Sequence, residues 1–216
     1  MKIVVISDTH GKHRLVKLPK GDVLIHAGDV SFRGERYEVE DFLKWFSNQP
    51  HPHKIFIAGN HDFFFERTKP KAIESIMPVN VTYLNDSGID INGCKIWGSP
   101  ITPQFFQWAF NRKRGEAVRR HWELIPMDTN ILITHGPPYR ILDQTVYDQY
   151  VGCKDLLLRV QEVAPQYHLF GHIQEAYGNV IQNGTRFINA SIVNESYDMV
   201  HRPVVFDWKQ LAQPSV

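Results

Sequence analysis

The sequence predicts a mixed α/β fold, and three observations support this prediction. Short apolar runs of strand length recur along the chain, amphipathic stretches of helix length separate some of them, and two Asn-Gly pairs stand between short apolar runs. Strand, helix and strand in succession favour parallel pairing, whereas Asn-Gly pairs favour two-residue hairpins. We therefore expect sheets that contain both parallel and antiparallel strands.

The first third of the chain predicts three strands and two helices. Val39, Phe42, Leu43 and Phe46 recur at helical spacing and predict a helix over residues 36–48. Thr68 and Pro70 mark the start of a shorter helix that reaches residue 77. The strands are predicted at residues 2–7, 22–27 and 55–58.

The middle of the chain predicts short strands at residues 81–84, 89–91 and 94–97. Asn92 and Gly93 join the last two, so we expect this section to be antiparallel. Residues 99–110 are rich in proline and aromatic side chains without a period, which indicates a loop. The remaining elements are a helix at 116–124, a strand at 130–134, a helix at 153–163, a strand at 167–170, a hairpin around Asn183-Gly184 and a strand at 204–206.

Length and composition bound the possible functions. The 216 residues, 43% of them hydrophobic, suffice for one sizeable core, so we expect residues 1–216 to form a single domain. The chain has 24 Lys and Arg against 23 Asp and Glu, which disfavours long nucleic acid and anionic membranes as partners. A basic cluster at residues 112–120 is interpreted as a solvated helix face. Two cysteines without CxxC spacing and no long apolar segment indicate a cytoplasmic protein.

Five apolar runs end in Asp or His, and this recurrence carries the functional prediction. Open α/β sheets bind their ligands at the carboxyl ends of strands, so these side chains are expected to converge. Carboxylates, imidazoles and a carboxamide suit Mn, Fe, Zn or Ni better than calcium. Seven groups exceed the needs of one ion, whereas two ions that share a carboxylate can promote displacement at phosphorus. The groups are Asp8, His10, Asp29, Asn60, His61, His135 and His172.

These motifs resemble, in order, spacing and strand context, those of the calcineurin-like metallophosphoesterases. Within that superfamily the chain is similar, nearly end to end, to the MPPED class of phosphodiesterases. The resemblance implies a four-layer αββα sandwich in which two mixed β-sheets are flanked by helices. The matching motifs are Asp8-Thr9-His10, Gly28-Asp29, Gly59-Asn60-His61-Asp62, Thr134-His135-Gly136 and Gly171-His172.

The resemblance also implies roles for individual residues. It assigns Asp8, His10 and Asp29 to a first metal ion, and Asp29, Asn60, His135 and His172 to a second. It makes His61 a catalytic residue near the leaving group and not a ligand, a distinction that the residues alone leave open. Asp62 is expected either to orient His61 or to cap the segment that follows it.

The last motif departs from the family pattern at Gln174. The family usually has a second histidine there, which completes the first metal site. A neutral carboxamide oxygen binds transition metals more weakly than imidazole does. We therefore expect Gln174 to be a weak ligand and the first site to be weakened. In the resembling class, substitution in this motif accompanies low activity and nucleotide binding.

The sequence thus predicts a dinuclear metal-dependent phosphodiesterase that uses a metal-bound hydroxide on small phosphodiesters, with cyclic nucleotides the leading candidates. One alternative is a low-activity regulatory protein that binds nucleotides. The other is a nuclease or phosphatase on the same scaffold. Asn111 and Arg112 are weak candidates for substrate contacts, as are Asn189 and Ser191.

Overall fold

The computed structural model describes residues 1–210, which form two large mixed β-sheets flanked by helices. The strands, in chain order, are β1 (Lys2–Ile6), β2 (Val23–Ala27), β3 (His53–Ile57), β4 (Thr82–Tyr83), β5 (Ser87–Ile91), β6 (Cys94–Ser99), β7 (Thr102–Pro103), β8 (Asn111–Arg112), β9 (Ile131–Thr134), β10 (Tyr167–Phe170), β11 (Gly178–Gln182), β12 (Thr185–Asn189) and β13 (Val204–Asp207).

Five α-helices connect these strands: α1 (Arg36–Ser47), α2 (Phe63–Arg67), α3 (Pro70–Ile76), α4 (Glu116–Trp122) and α5 (Lys154–Val163). Helix α1 begins with a capping box, in which Glu38 accepts the backbone N–H of Glu35 at 3.0 Å. Two 3-10 turns, His13–Leu15 and Gln174–Ala176, complete the helical elements of the described residues. Among residues 1–210, none of the helices has the length and apolar character that crossing a membrane requires.

The two sheets have similar plans. The first has the order β13-β1-β2-β3-β4, with β1 to β4 parallel and β13 antiparallel at the edge. The second has the order β11-β12-β10-β9-β6-β5, with four parallel strands in the middle and an antiparallel strand at each edge. The mixed α/β class and the paired sheets expected from the resemblance are therefore confirmed.

Successive residues of a central strand pack alternately into two different apolar cores. In β1, Ile3 and Val5 belong to a core formed by strand residues of both sheets, whereas Val4 belongs to a core that includes helix residues. The same alternation holds in β9, where Ile131 and Ile133 lie between the sheets. Each sheet thus buries one face on the other sheet and one face on helices, which explains why its central strands are apolar throughout.

Both Asn-Gly hairpins are confirmed, with positive φ at both turn residues. The expectation that residues 81–97 form an antiparallel section is wrong in part. Only β5 and β6 pair in that way, because β4 joins the first sheet parallel to β3 and β6 lies parallel to β9. Tyr83 of β4 stacks on Phe56 of β3, with ring centroids 5.0 Å apart. That contact spans distant residues, so local pattern does not indicate it.

Two further differences concern short elements. Residues 99–110, expected to be a loop, contain the two-residue strand β7. Helix α2 was not predicted, because three consecutive phenylalanines in a five-residue segment have no helical period. Its formation depends on burial of Phe65, whose ring meets Phe56 at 5.4 Å.

The buried His168 forms a hydrogen bond with Thr134, the last residue of β9. Thr134 donates its hydroxyl proton to the carbonyl of Gly136 at 2.7 Å, so its oxygen accepts a hydrogen bond from Nε2–H of His168 at 2.8 Å. Burial lowers the pKa of His168 from 6.5 to about 3. The ring is therefore neutral in the folded protein at pH 7 and stays neutral well below it.

We expect His168 to make stability depend on pH between 7 and 5. Below pH 6.5 the unfolded chain binds a proton at this position and the folded protein does not, so stability falls as pH falls. Wild-type protein should lose about 2 kcal/mol more unfolding free energy across this interval than His168→Gln does. Chemical denaturation at both pH values measures the difference. Equal losses in the two proteins would contradict this role for His168.

Candidate metal centre

The predicted site residues converge where the carboxyl ends of the central parallel strands of both sheets meet. They reach this point from loops after β1, β2, β3, β9 and β10. All of them except the half-buried His172 are buried, and polar contacts among them range from 2.8 to 3.9 Å. The residues that the structure brings together are Asp8, His10, Asp29, Asn60, His61, His135, His172 and Gln174.

Four of these residues have left-handed backbone conformations. Their φ angles are 58° at Asp8, 43° at His10, 56° at Asp29 and 68° at His172. Residues with a Cβ rarely adopt this region, and such strain persists where the surrounding structure imposes it, most often at functional sites.

Asp29 lies at the middle of the cluster. Its Oδ2 is 3.7 Å from Nε2 of His10 and 3.3 Å from Nε2 of His135, and its Oδ1 accepts the backbone N–H of His61 at 2.8 Å. Two sets of three residues hold their potential ligand atoms within 4.8 Å of one another: His10, Asp29, His61 and Asp8, Asp29, His135. Asp29 is common to both sets, which is the geometry that a shared carboxylate requires.

The charges of the buried carboxylates fit a cation. Burial raises the pKa of Asp8 to about 6, against the opposing effect of His135, and the neighbouring Asp29 raises it further. Burial also acts to raise the pKa of Asp29, but His135 and His61 hold it well below its ordinary value. Although burial favours the neutral ring, Asp29 raises the pKa of His135 to about 9. Two buried carboxylates with imidazole and carboxamide groups around them suit a divalent transition-metal ion.

Hydrogen bonds fix the orientation of two imidazole rings. His135 donates Nδ1–H to the carbonyl of Ala27 at 3.0 Å, so its Nε2 faces Asp29 and the Oδ1 of Asn60, 2.9 Å away. His61 donates Nδ1–H to the carbonyl of Phe32 at 2.8 Å and stacks on Trp108, with centroids 4.4 Å apart. In both rings Nε2 is the atom left for ligands or substrate.

Asp62 joins the loops after β2 and β3. Its carboxylate accepts N–H bonds from Gly59, Val30 and Ser31 at 2.8, 3.1 and 2.9 Å, and a further bond from the Ser31 hydroxyl. Asp62 occupies the N-cap position of helix α2, as one expectation had it, although its side chain makes no capping hydrogen bond there. The other expectation is wrong, since the His61 ring bonds to the carbonyl of Phe32 and the oxygens of Asp62 are used by backbone N–H groups of two neighbouring loops.

At two glycines of the motifs, a carboxylate approaches so closely that a side chain would not fit. A Cβ on Gly59 would lie 2.3 Å from Oδ1 of Asp29, and a Cβ on Gly171 would lie 1.9 Å from Oδ2 of Asp8. Both distances are far below van der Waals contact. Because the chain is so close to Asp8 here, His172, the next residue, donates its backbone N–H to both oxygens of Asp8 at 3.1 Å.

Gln174 makes direct contact with a predicted metal ligand. Its Nε2–H group donates to Nε2 of His10 at 3.1 Å. Burial lowers the pKa of His10 to about 4, so the ring is neutral and its Nε2 accepts this bond. An ion that binds His10 through Nε2 must displace the amide, so Gln174 competes for the lone pair that the ion would use.

The weak candidates for substrate contacts make structural bonds. Asn111 donates to Thr102 Oγ1 at 2.8 Å and accepts from the N–H of Phe105, which orders the loop. Arg112 pairs with Glu66 at 3.3 Å and also bonds to the backbone. Asn189 donates to the carbonyl of Ile173 at 2.7 Å, and Ser191 donates to Val193 at 3.3 Å.

Sequence reasoning missed two aromatic residues that border the cluster. The ring of Phe32 lies 6.1 Å from that of His10, and the ring of Tyr197 lies 4.7 Å from it. Phe32 follows Asp29 by three positions, so its place in the loop after β2 was a usable signal. Tyr197 comes from the long connection between β12 and β13, and nothing in its local sequence indicates the site.

Comparisons with known proteins show which family and fold the chain resembles. Residues 1–176 match the family model described as calcineurin-like phosphoesterase. The chain is 40% identical to human metallophosphoesterase domain-containing protein 1, over 95% of this chain and 70% of that protein. It is 39% identical to UPF0046 protein K07C11.7 of Caenorhabditis elegans, over 95% of this chain and 74% of that protein. The crystal structure of TT1561 of Thermus thermophilus is similar in fold, with a TM-score of 0.59, 14% identity and coverage of 87% and 88%.

We expect Gly171→Ala to impair metal binding. The added Cβ must displace the Asp8 carboxylate, and disturbing groups that orient ligands lowers metal affinity about 10- to 100-fold. Calorimetric titration with Mn²⁺ measures the change. Gly136→Ala is a matched control from another motif, because its Cβ would meet Thr102 at an ordinary 3.4 Å. Similar affinities in both variants would show that the close approach at Gly171 does not matter.

Proposed function

Because the chain belongs to the calcineurin-like phosphoesterase family and is a metal-dependent phosphoester hydrolase, we propose that it is a phosphodiesterase acting on small phosphodiesters, cyclic nucleotides foremost. The observation that carries this proposal is the position of Asp29, which belongs to both sets of potential ligands. A carboxylate shared in this way supports a centre of two divalent transition-metal ions, Mn, Fe, Zn or Ni.

The residues divide into two sites around Asp29. In the proposed assignment, Asp8, His10 and Gln174 belong to the first site, and Asn60, His135 and His172 belong to the second. Bound divalent ions supply Lewis acidity and lower the pKa of water at such a centre. The protein contributes fixed ligand directions, since Ala27 orients His135 and Asp62 holds the loops that carry Asp29 and Asn60.

His61 is the proposed general acid at the leaving group. Because Nδ1–H is committed to Phe32, Nε2 carries a transferable proton only when the ring is an imidazolium. Stacking on Trp108 holds the plane of the ring. His61 also lies in one set of potential ligands with His10 and Asp29, so a ligand role is the competing assignment.

A cleft beside the centre supports a small substrate. It has a volume of 280 Å³, opens next to His172 and is lined by Phe105, Pro137 and Ile173 among other residues. An apolar cleft of this size next to phosphate-binding groups suits one flat organic substituent of a phosphodiester. The near-neutral net charge of +1 disfavours long nucleic acid.

A second candidate function is that of a low-activity protein that binds nucleotides. The bond from Gln174 to His10 favours it, because this contact would compete with an ion at the proposed first site, while the proposed second site has no such competitor among its four ligands. We further propose a single domain over residues 1–216 and a cytoplasmic location. The two cysteines, Cys94 and Cys153, are free and buried, which suits a reducing compartment.

A substrate panel separates these functions. The panel contains bis(4-nitrophenyl) phosphate, 4-nitrophenyl phosphate, cyclic nucleotides and an oligonucleotide, each assayed with Mn, Fe, Zn, Ni and Mg. We expect diesters of low molecular weight to be hydrolysed faster than the monoester, and the oligonucleotide to remain intact. Tight binding of a nucleoside monophosphate with negligible turnover under every metal would favour the second candidate. Preference for the monoester or for the oligonucleotide would contradict the proposal.

We expect His61→Ala to slow poor leaving groups most. Loss of a general acid costs about 10²- to 10⁴-fold where the leaving oxygen needs a proton. The effect on kcat should be in this range for an alkyl ester and much smaller for a nitrophenyl ester. His53→Ala, at an exposed histidine of the same segment, is the control and should behave as wild type. Equal losses for both esters, together with lost metal content, would make His61 a ligand.

A further inference from the structure

Tyr197 lies at the edge of the candidate metal centre, in a turn that several hydrogen bonds hold in place. It lies in the connection between β12 and β13 with a left-handed φ of 62°. Its N–H donates to the carbonyl of Asn194 at 2.8 Å, and its own carbonyl accepts from Nζ of Lys12 at 2.5 Å. The side chain of Asn194 accepts N–H bonds from Ser196 and Asp198. These bonds close the turn on itself and tie it to the loop that follows β1.

The ring of Tyr197 packs against His10, the predicted ligand that Gln174 also contacts. It meets His10 at a centroid distance of 4.7 Å with an interplanar angle of 88°, and Phe32 at 5.3 Å. The centroid of His61 is farther away, at 6.3 Å. Trp108 stacks directly on the His61 ring at 4.4 Å. Tyr197 is therefore associated with the first site more than with the proposed leaving-group side.

The hydroxyl of Tyr197 is available as a donor. Within residues 1–210 it has no hydrogen-bond partner, whereas the hydroxyl of Tyr177 donates to the carbonyl of Arg202 at 2.9 Å. The ring that carries this hydroxyl packs on His10 and Phe32, so the unpartnered phenol borders the cluster of predicted ligands. A neutral donor at an anion-binding centre can bind an oxygen of the substrate.

We propose that Tyr197 donates a hydrogen bond from Oη to a non-bridging oxygen of the phosphoryl group bound at this centre. The proposal rests on the proposed function, since it takes a phosphoester as the substrate. Negative charge is shared among the equatorial oxygens during displacement at phosphorus, so a donor fixed beside them stabilises the transition state. Tyr197 supplies this stabilisation on the side where Gln174 occupies the lone pair of His10.

Tyr197→Phe tests the proposal because it removes the hydroxyl and keeps the ring on His10 and Phe32. A hydrogen bond to a charged group is lost, so kcat/KM for bis(4-nitrophenyl) phosphate should fall about 10- to 100-fold. The fall should be the same for an alkyl ester, because the bond is to a non-bridging oxygen. Affinity for inorganic phosphate, measured by calorimetry, should fall at least about 5-fold, while Mn²⁺ content and melting temperature stay unchanged. Tyr37→Phe, at an exposed tyrosine of α1, is the control.

The outcomes separate this proposal from the proposed function. If wild type hydrolyses diesters and Tyr197→Phe keeps the same kcat/KM and phosphate affinity, the Tyr197 proposal is overturned and the function stands. If wild type hydrolyses no diester but phosphate affinity still falls in the variant, the function fails and the contact stands. A parallel loss of metal content or melting temperature in Tyr197→Phe would assign the residue a structural role and overturn the proposal.

Discussion

The burial of one carboxylate, that of Asp29, is the constraint on which the rest of the centre depends. A buried charge is costly unless neighbouring groups compensate it. Here His135 and His10 approach one oxygen, and the backbone N–H of His61 donates to the other. Gly59 has to lack a side chain so that the loop after β3 can come this close. The contacts that compensate the Asp29 carboxylate therefore fix the positions of loops from both sheets.

The position of Asp29 follows from how the sheets pack. Alternate residues of β1, β2 and β3 share one buried apolar core with those of β6, β9 and β10. A Cβ on Gly98 of β6 would lie 2.7 Å from Ile57 of β3, so the two sheets approach closely near the strand ends. The loops of both sheets then open toward the same space, where carboxylates from one sheet meet imidazoles from the other.

The features predicted from the sequence are those that a short stretch of residues encodes by itself. Each apolar run that ends in Asp or His contains its own strand and its own functional group, so Asp8, Asp29 and His135 could be identified without a structure. Pairing of β4 with β3 could not, because a two-residue strand has no pattern that selects a partner. Tyr197 and His10 lie near opposite ends of the chain, and only the folded connection between β12 and β13 brings their rings together. Competition between Gln174 and an ion for His10 likewise depends on a contact between distant loops.

Anomalous diffraction from crystals soaked in Mn²⁺ tests the central claim most directly, because it locates ions without reference to activity. We expect one strong peak in the second site and a weaker peak in the first, with the carboxylate of Asp29 within coordination distance of both. The weaker peak reflects the amide of Gln174 at His10. Strong peaks elsewhere, with none within coordination distance of Asp29, would contradict the claim that this buried carboxylate organises a metal centre.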